Sequence, residues 1–241
     1  MSASVVRLLQ QENIRLKKEV DTLETRTDTL YQYFETVKRL YWSSQQIVKE
    51  ENPLITLNEL LYEVIDVIGA RDGSLSHLDE TTGELVFLLV HGDLRQQLRG
   101  YRLQTDTGIA GWVVNNQESL IVNDPGQDWR FSSTVDQEFH FLTQSIMTVP
   151  IITQGKLVGV SQLLNKKDNK FNEADVVLLL LLGQIAAAVL NEMETRIANG
   201  EAVEADFTDP IYEENDTPVA PIVDETTSSY EDPAFAELFL E

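Results

Sequence analysis

The sequence predicts an α+β fold, with a central antiparallel sheet flanked by helices and preceded by a long coiled-coil helix. Three observations predict it: a heptad pattern near the N-terminus, a series of short extended apolar segments, and a long apolar helical segment that follows them. We divide the chain into residues 1–45 (coiled-coil helix), 46–197 (one folded domain) and 198–241 (a disordered acidic tail).

Apolar residues repeat every seven positions between residues 6 and 44. With Val6 at position a, leucine dominates position d while position a is mostly β-branched or polar, which favours a parallel two-stranded coiled coil. Asn13 occupies an a position, where two asparagines can hydrogen-bond across a dimer seam. The alternative is a single amphipathic helix packed on its own domain. The predicted dimerisation residues are Leu9, Asn13, Leu16, Val20, Leu23 and Leu30.

The predicted domain begins with a helix over residues 55–68, in which leucines recur with a helical period. Thr153-Gln154-Gly155 is a polar, glycine-containing link between two extended segments, as expected of a hairpin. The predicted strands are 73–78, 84–91, 120–123, 145–152 and 156–164.

The last predicted helix of the domain has Asn172 as its N-cap, acidic residues in its first turn, and Gly200 after its end. Residues 176–183 are apolar on every side of this helix. Such a helix must be buried on two faces, by the sheet and by a partner helix, which also predicts a homodimer.

Composition excludes several classes of function. The chain has no cysteine, which rules out thiolate metal sites and cysteine nucleophiles, and its net charge of −22 disfavours nucleic acid and anionic membrane surfaces as partners. The N-terminus lacks a signal-peptide pattern, and the longest apolar run, 176–190, is interrupted by Gln184 and is short for a membrane span. We therefore expect a soluble, cytoplasmic protein.

Four segments in order, 74–85, 107–114, 121–150 and 155–175, resemble the GAF family. These are small-ligand sensor domains found in cyclic-nucleotide phosphodiesterases, adenylyl cyclases, phytochromes and bacterial signalling proteins. The resemblance covers about Leu57 to Leu190 and implies the GAF fold. Bilin attachment and methionine sulfoxide reduction in this family require cysteine, so the resemblance does not extend to them.

The fourth segment also matches the Asn-Lys…Phe-x-x-x-Asp signature of the phosphodiesterase-type subset. The matching residues are Asn165, Lys166, Phe171 and Asp175. The resemblance implies that Lys166 and Asp175 form an ion pair that locks a lid-like part of the domain. The alternative is an ordinary surface pair worth about 0.2–1 kcal/mol.

Residues 107–114 predict a short helix whose first N–H groups form an anion site. Thr107 can cap this helix, and in nucleotide-binding relatives the positions matching Ile109 and Ala110 hold a phosphate. The alternative is a scaffold helix whose Trp112 and Val113 point into the core.

The resemblance places further pocket residues along the chain. Ser74, Asp136 and Thr143 match residues of nucleotide-binding relatives. Phe139 replaces an expected threonine, and His91 and Gln162 stand where carboxylates occur, so a cyclic nucleotide is a hypothesis within the broader prediction of a small anionic ligand. The predicted ligand-binding residues are Ser74, His91, Ile109, Ala110, Asp136, Phe139, Thr143 and Gln162.

The sequence contains no catalytic or metal-ligand motif, which predicts a regulatory module that is not an enzyme. Thirteen of the forty acidic residues lie in 198–241. In this segment Phe235, Leu238 and Phe239 have the spacing of a peptide that folds into a groove. The leading hypothesis is a dimeric sensor that signals to a partner protein in trans. The alternative is an unliganded dimeric adaptor whose tail docks the partner, and a merely solubilising tail is also compatible with the composition.

Overall fold

The structure, a computed structural model, describes residues 3–168 and 170–199. Its helices are α1 Ala3–Ser44, α2 Pro53–Ile68, α3 Arg95–Leu98, α4 Gly108–Asn116, α5 Thr134–Glu138 and α6 Glu173–Ala198, with short 3₁₀ helices at Ile47–Lys49 and Pro125–Gln127. Its strands are β1 Asp72–Leu78, β2 Leu85–His91, β3 Arg102–Leu103, β4 Leu120–Val122, β5 Ile146–Thr153 and β6 Lys156–Leu164. The predicted α+β fold is confirmed. The docking residues Phe235, Leu238 and Phe239 lie outside the described residues.

The six strands form one antiparallel sheet in the order β3-β2-β1-β6-β5-β4. The hairpin between β5 and β6 turns at Gln154 and Gly155, whose φ angles of 49° and 81° are those of a two-residue hairpin turn. Three short elements, α3, β3 and α5, were not predicted from the sequence.

The main hydrophobic core lies between one face of the sheet and helices α2 and α6. Strand β1 contributes Leu75 to this core, and Gly73 of the same strand lies against Ile65 of α2. Helix α6 has the length and apolarity of a membrane span, but 61% of its apolar window is buried inside the protein. Its apolar surface is therefore largely used as core of the domain.

Helix α1 has two different parts. Its last turns pack on the domain, where Leu40 is buried in the main core and Thr36 is buried beside α2. Its earlier part leaves an apolar stripe exposed in the single chain: Val6, Leu9, Leu16, Val20, Leu23 and Leu30. This stripe consists of a and d positions of the predicted heptad.

Two reciprocal hydrogen bonds define the start of α6. Asn172 Oδ1 accepts from the Ala174 N–H at 2.8 Å, and Asp175 Oδ2 accepts from the Asn172 N–H at 2.9 Å. Asn172 is thus the N-cap of α6, as the sequence predicted, and Asp175 completes the cap in the manner of a capping box.

Candidate functional site

A cavity of about 310 Å³ lies on the other face of the sheet, beneath α4 and α5. Its floor includes Ser74 of β1 and Gln162 of β6, which are opposite each other in the sheet register. Phe131, Val135 and Phe141 line it from the segment between β4 and β5. The volume is at the lower end of the range of about 300–1,000 Å³ that small-molecule sites occupy.

The N-terminus of α4 forms one wall of the cavity, through Gly108, Ile109 and Ala110. Gly108 has a φ of 75°, a conformation that glycine adopts without strain, and this turn directs the start of the helix along the wall. Thr107 occupies the N-cap position, but its side chain makes no cap hydrogen bond, contrary to the prediction. Within residues 3–168 and 170–199, no protein group accepts a hydrogen bond from the N–H groups of Gly108, Ile109 or Ala110.

The floor carries two polar side chains, of which one is hydrogen-bonded to another described residue and the other is not. Gln162 Nε2 donates to Thr148 Oγ1 at 2.9 Å, which fixes the amide against β5. Ser74 is 4% exposed, and among the described residues no protein partner is hydrogen-bonded to its hydroxyl. Ser74 lines the cavity, so its hydroxyl is available to a ligand there.

The roof of the cavity is held by Asp136 of α5. Its carboxylate accepts from the Thr143 N–H at 2.9 Å and from Thr143 Oγ1 at 2.7 Å. Both oxygens are therefore engaged in closing the segment between α5 and β5. In this structure Asp136 and Thr143 are hydrogen-bonded to each other, and both also line the cavity.

Two predicted ligand residues direct their side chains elsewhere. His91 borders the cavity, but its Nε2 lies 2.9 Å from Asn58 Oδ1 and its ring packs on Tyr62, both on α2 at the opposite face of the sheet. Phe139 stacks edge to face on Tyr101 at 5.2 Å and lies behind the cavity wall. Position 91 is paired with Gly73, on the core-facing row of β1, which explains the direction of the imidazole.

Carboxylates outnumber cations around the cavity. Asp72, Asp106 and Asp136 line it, whereas the one lysine or arginine among its described lining residues is Arg102. The Arg102 guanidinium is bound by Asp79 at 2.8 Å and by Glu84 at 3.0 Å, so its charge is already balanced. A ligand anion must therefore rely on the N–H groups of α4.

Asp72 is a buried carboxylate at one end of the floor, where it is 5% exposed. Burial raises the pKa of Asp72, while hydrogen bonds from the Asp93 N–H and from Asn165 Nδ2 act in the opposite direction. The raised pKa records a carboxylate that is incompletely stabilised by the protein and that favours a hydrogen-bond donor beside it.

The signature residues lie beside the cavity and not in it. Lys166 Nζ is 2.6 Å from Asp175 Oδ2, and the Asp175 side chain is fully buried, so the pair differs from an exposed surface pair. Phe171 is buried, and its backbone N–H and C=O both bond the Asn123 side chain, at 2.8 and 3.1 Å. Together these contacts connect the ends of β4 and β6 to the start of α6.

Several residues that line the cavity were not predicted from the sequence: Asp72, Phe87, Tyr101, Phe131, Val135 and Leu164. Asp72 could have been found from the period of two in β1, because it shares a face with Ser74. Tyr101 lies in the segment between β2 and β3, which carries no periodic signal. No group of three or more potential metal ligands occurs among the residues that the structure describes.

The GAF domain family profile matches residues 50–191. That is more than half of the chain, and the antiparallel sheet with its cavity under α4 and α5 agrees with it. The chain belongs to the GAF domain family. Domains of this family are generally regulatory and not catalytic.

Similar curated proteins include phosphodiesterases. The chain is 31% identical over 97 residues to the probable 3′,5′-cyclic phosphodiesterase pde-5 of Caenorhabditis elegans, an alignment of 40% of this chain and 13% of that protein. It is 33% identical over 72 residues to the cGMP-specific 3′,5′-cyclic phosphodiesterase of Drosophila virilis, covering 29% of this chain and 8% of that protein. The chain thus spans only a small part of the length of these relatives.

Among solved structures, a similar one is the GAF domain from a phosphoenolpyruvate-protein phosphotransferase of Coxiella burnetii. The TM-score is 0.57 at 20% sequence identity, and the match covers 70% of this chain and 97% of that chain. This likeness supports the fold alone.

Proposed function

We propose that this protein is a non-catalytic, cytoplasmic sensor module that binds a small ligand in the cavity beneath α4 and α5. The observation that carries the proposal is the cavity itself: among the described residues, three N–H groups on one wall and the Ser74 hydroxyl on its floor have no protein hydrogen-bond partner. Polar groups that have no protein partner in a water-sized or larger space are suited to bind something else.

The two sides of the cavity favour different parts of a ligand. The positive end of α4 favours an anionic group such as a phosphate or carboxylate. Asp72 favours a part that donates hydrogen bonds. A cyclic nucleotide has both features, an anionic phosphate and base N–H groups, and the similarity to phosphodiesterases supports it as the first candidate.

A thermal-shift screen of the full chain tests the proposal. The panel contains cyclic GMP, cyclic AMP, their linear monophosphates, amino acids and simple carboxylates at millimolar concentration. A ligand at 100 times its dissociation constant stabilises the folded state by about 2.7 kcal/mol, which raises the melting temperature by several degrees. A flat response across the whole panel would contradict ligand sensing by this cavity for these chemical classes.

Substitutions at Ser74 supply a matched control. Ser74→Leu places a larger side chain into the cavity and is expected to abolish the ligand-induced shift. Ser74→Ala removes the hydroxyl but keeps the space, so binding weakens about 2- to 12-fold, as for one hydrogen bond of about 0.5–1.5 kcal/mol. An equal ligand response in wild type and Ser74→Leu would place the ligand elsewhere.

We further propose that α1 forms a parallel homodimer and transmits the liganded state to a partner protein in trans. The exposed stripe on α1 supports a second copy of this chain as its occupant, because its apolar residues lie at a and d positions and Asn13 provides a self-complementary polar pair. Val177 and Leu181 on α6 are also exposed and extend the apolar surface next to the domain.

Sedimentation analysis tests the dimer. Leu16→Glu, at a d position, is expected to convert the dimer to a monomer. Ile14→Glu is the matched control, because Ile14 is also exposed in the single chain but lies at a b position outside the seam. If both variants sediment like wild type, the heptad seam does not hold the copies together. A dimer that binds no ligand would favour the alternative function of an adaptor or scaffold.

A further inference from the structure

A series of direct contacts connects the cavity roof with α1. It passes through Asn165 and Lys166, which directly follow β6. Asn165 has a φ of 56°, an uncommon backbone conformation for a residue other than glycine. Its side chain bonds the segment that roofs the cavity, whereas the side chain of Lys166 bonds Asp175 at the start of α6.

On the cavity side, Asn165 holds the segment before β5 by two hydrogen bonds. Its Oδ1 accepts from the Gln144 N–H at 2.8 Å, and its Nδ2 donates to the Leu142 carbonyl at 3.1 Å. Thr143 lies between these two residues and is hydrogen-bonded to Asp136, which lines the cavity. Asp136 and Asn165 therefore hold neighbouring residues of the same short backbone segment.

On the helix side, the Asp175 carboxylate accepts from two side-chain donors of different elements, in addition to the Asn172 N–H. Lys166 Nζ bonds Oδ2 at 2.6 Å, and the hydroxyl of Tyr33 on α1 bonds Oδ1 at 2.5 Å. Burial and the Asp175 carboxylate raise the pKa of Tyr33, so the hydroxyl remains a donor even at alkaline pH. Tyr33 directly precedes Phe34, an a position that is 63% exposed.

The other polar contacts of this part of α1 go to α2. Thr36 Oγ1 bonds Glu63 Oε1 at 3.3 Å, and Arg39 pairs with Glu63 at 2.8 Å. Helix α2 packs on the face of the sheet that is opposite the cavity. These contacts hold α1 on the domain but do not involve the cavity roof. Tyr33 differs from Thr36 and Arg39 because its contact with Asp175 belongs to the series that reaches the roof.

We propose that Tyr33 is the positioning residue that couples the cavity roof to the coiled-coil seam, through Asp175, Lys166 and Asn165. The inference deepens the proposed sensor function, because it names the route by which the state of the cavity reaches α1. Asn165 and Lys166 are joined by the backbone, as are residues 142–144, and the remaining links are hydrogen bonds or an ion pair that are either made or broken, as a two-state coupling requires.

The coupling is tested without any ligand, by amide hydrogen exchange of the full chain. Asp136→Ala releases Thr143 and loosens the roof, and exchange is followed in two places: at residues 141–145 and at residues 28–40. In wild-type background we expect Asp136→Ala to raise exchange at both places, by about tenfold in α1, as for one hydrogen bond to a charged group. In a Tyr33→Phe background we expect Asp136→Ala to raise exchange at residues 141–145 but to cause no further change in exchange at residues 28–40.

Thr36→Val is the matched control, since it removes a hydroxyl from the same helix but leaves the route intact. In the Thr36→Val background, Asp136→Ala is expected to raise amide exchange in α1 by as much as it does in wild type. The coupling is refuted if α1 does not respond when the roof does, or if its response is the same with and without the Tyr33 hydroxyl. Thr143→Val, which removes one roof hydrogen bond, replaces Asp136→Ala if the latter does not fold. Since no ligand is used, failure here and failure of the ligand screen are separate results.

Discussion

The two faces of the sheet differ although they belong to the same six strands. The face toward α2 and α6 is covered by one continuous core of leucine, valine and isoleucine side chains. The face toward α4 and α5 carries smaller apolar clusters around a cavity of about 310 Å³. Continuous apolar packing is therefore concentrated on one face of the sheet, while the other face borders an open space.

The alternation of β1 shows how the sequence produces this difference. Gly73 and Leu75 face the helices of the main core, and Gly73 allows Ile65 to approach the sheet closely. Ser74 faces the cavity, as does its neighbour Gln162 on β6. One row of the strand is therefore packed tightly, while the adjacent row is polar and borders the cavity.

The largest expected effect is on the packed face. Leu61→Ala removes a fully buried side chain of α2 and leaves a void in the continuous core. We expect the free energy of unfolding to fall by about 3–5 kcal/mol. Chemical denaturation measures this, and a loss of less than about 1 kcal/mol would contradict the assignment of stability to this face.

The same substitution on the cavity face is expected to cost less. Leu98 of α3 lines the cavity and is 8% exposed. Leu98→Ala loses the transfer free energy of the side chain but enlarges a space that already exists, so we expect a loss of about 2 kcal/mol, at the low end for this change. The two Leu→Ala variants, measured by the same denaturation experiment, compare the faces directly. Equal losses in the free energy of unfolding would contradict the proposed difference in packing between the two faces.

Filling the cavity is expected to change stability less again. Ser74→Leu buries additional apolar atoms where space is available, so we expect its free energy of unfolding to differ from wild type by about 1 kcal/mol or less. In a tightly packed core, added methylenes typically cost about 1–3 kcal/mol. A large destabilisation by Ser74→Leu would indicate that the cavity is too rigid or too small to accept added atoms.

The smallest expected effect is the pH dependence from Asp72. Its pKa is raised in the folded state, so its contribution to stability is most favourable at low pH and is lost as the pH rises through the folded pKa. The free energy of unfolding of wild type, relative to Asp72→Asn, should therefore decrease as the pH rises from the ordinary aspartate pKa of 3.8. Denaturation at several pH values measures this difference. The opposite slope would show that hydrogen bonds outweigh burial at Asp72.

Most of the fold could be predicted from the sequence, because long periodic segments specify it. The heptads of α1, the apolar strands β5 and β6 and the N-cap Asn172 all carry strong local signals. The short elements α3, β3 and α5 do not, since four, two and five residues are too few to show a period. Their positions depend on tertiary contacts such as the pairing of Leu85 with Leu103.

The site was harder to predict than the fold. Ser74, Ile109, Ala110, Asp136, Thr143 and Gln162 do line the cavity. His91 also lines the cavity, although its ring contacts Asn58 and Tyr62 of α2, and Phe139 is not among the lining residues. Matching positions in a family does not determine which face of a strand or wall a side chain takes. The contact between Tyr33 and Asp175 joins residues 142 positions apart. No local pattern could have revealed it.

Native mass spectrometry tests the central claim, that the cavity binds a small ligand, most directly. The full chain is titrated with the compound that gives the largest thermal shift, and wild type is compared with Ser74→Leu. We expect one bound ligand per chain for wild type, saturating with concentration, and none for Ser74→Leu. Undiminished binding by Ser74→Leu, or no saturable binding by either protein, would contradict it.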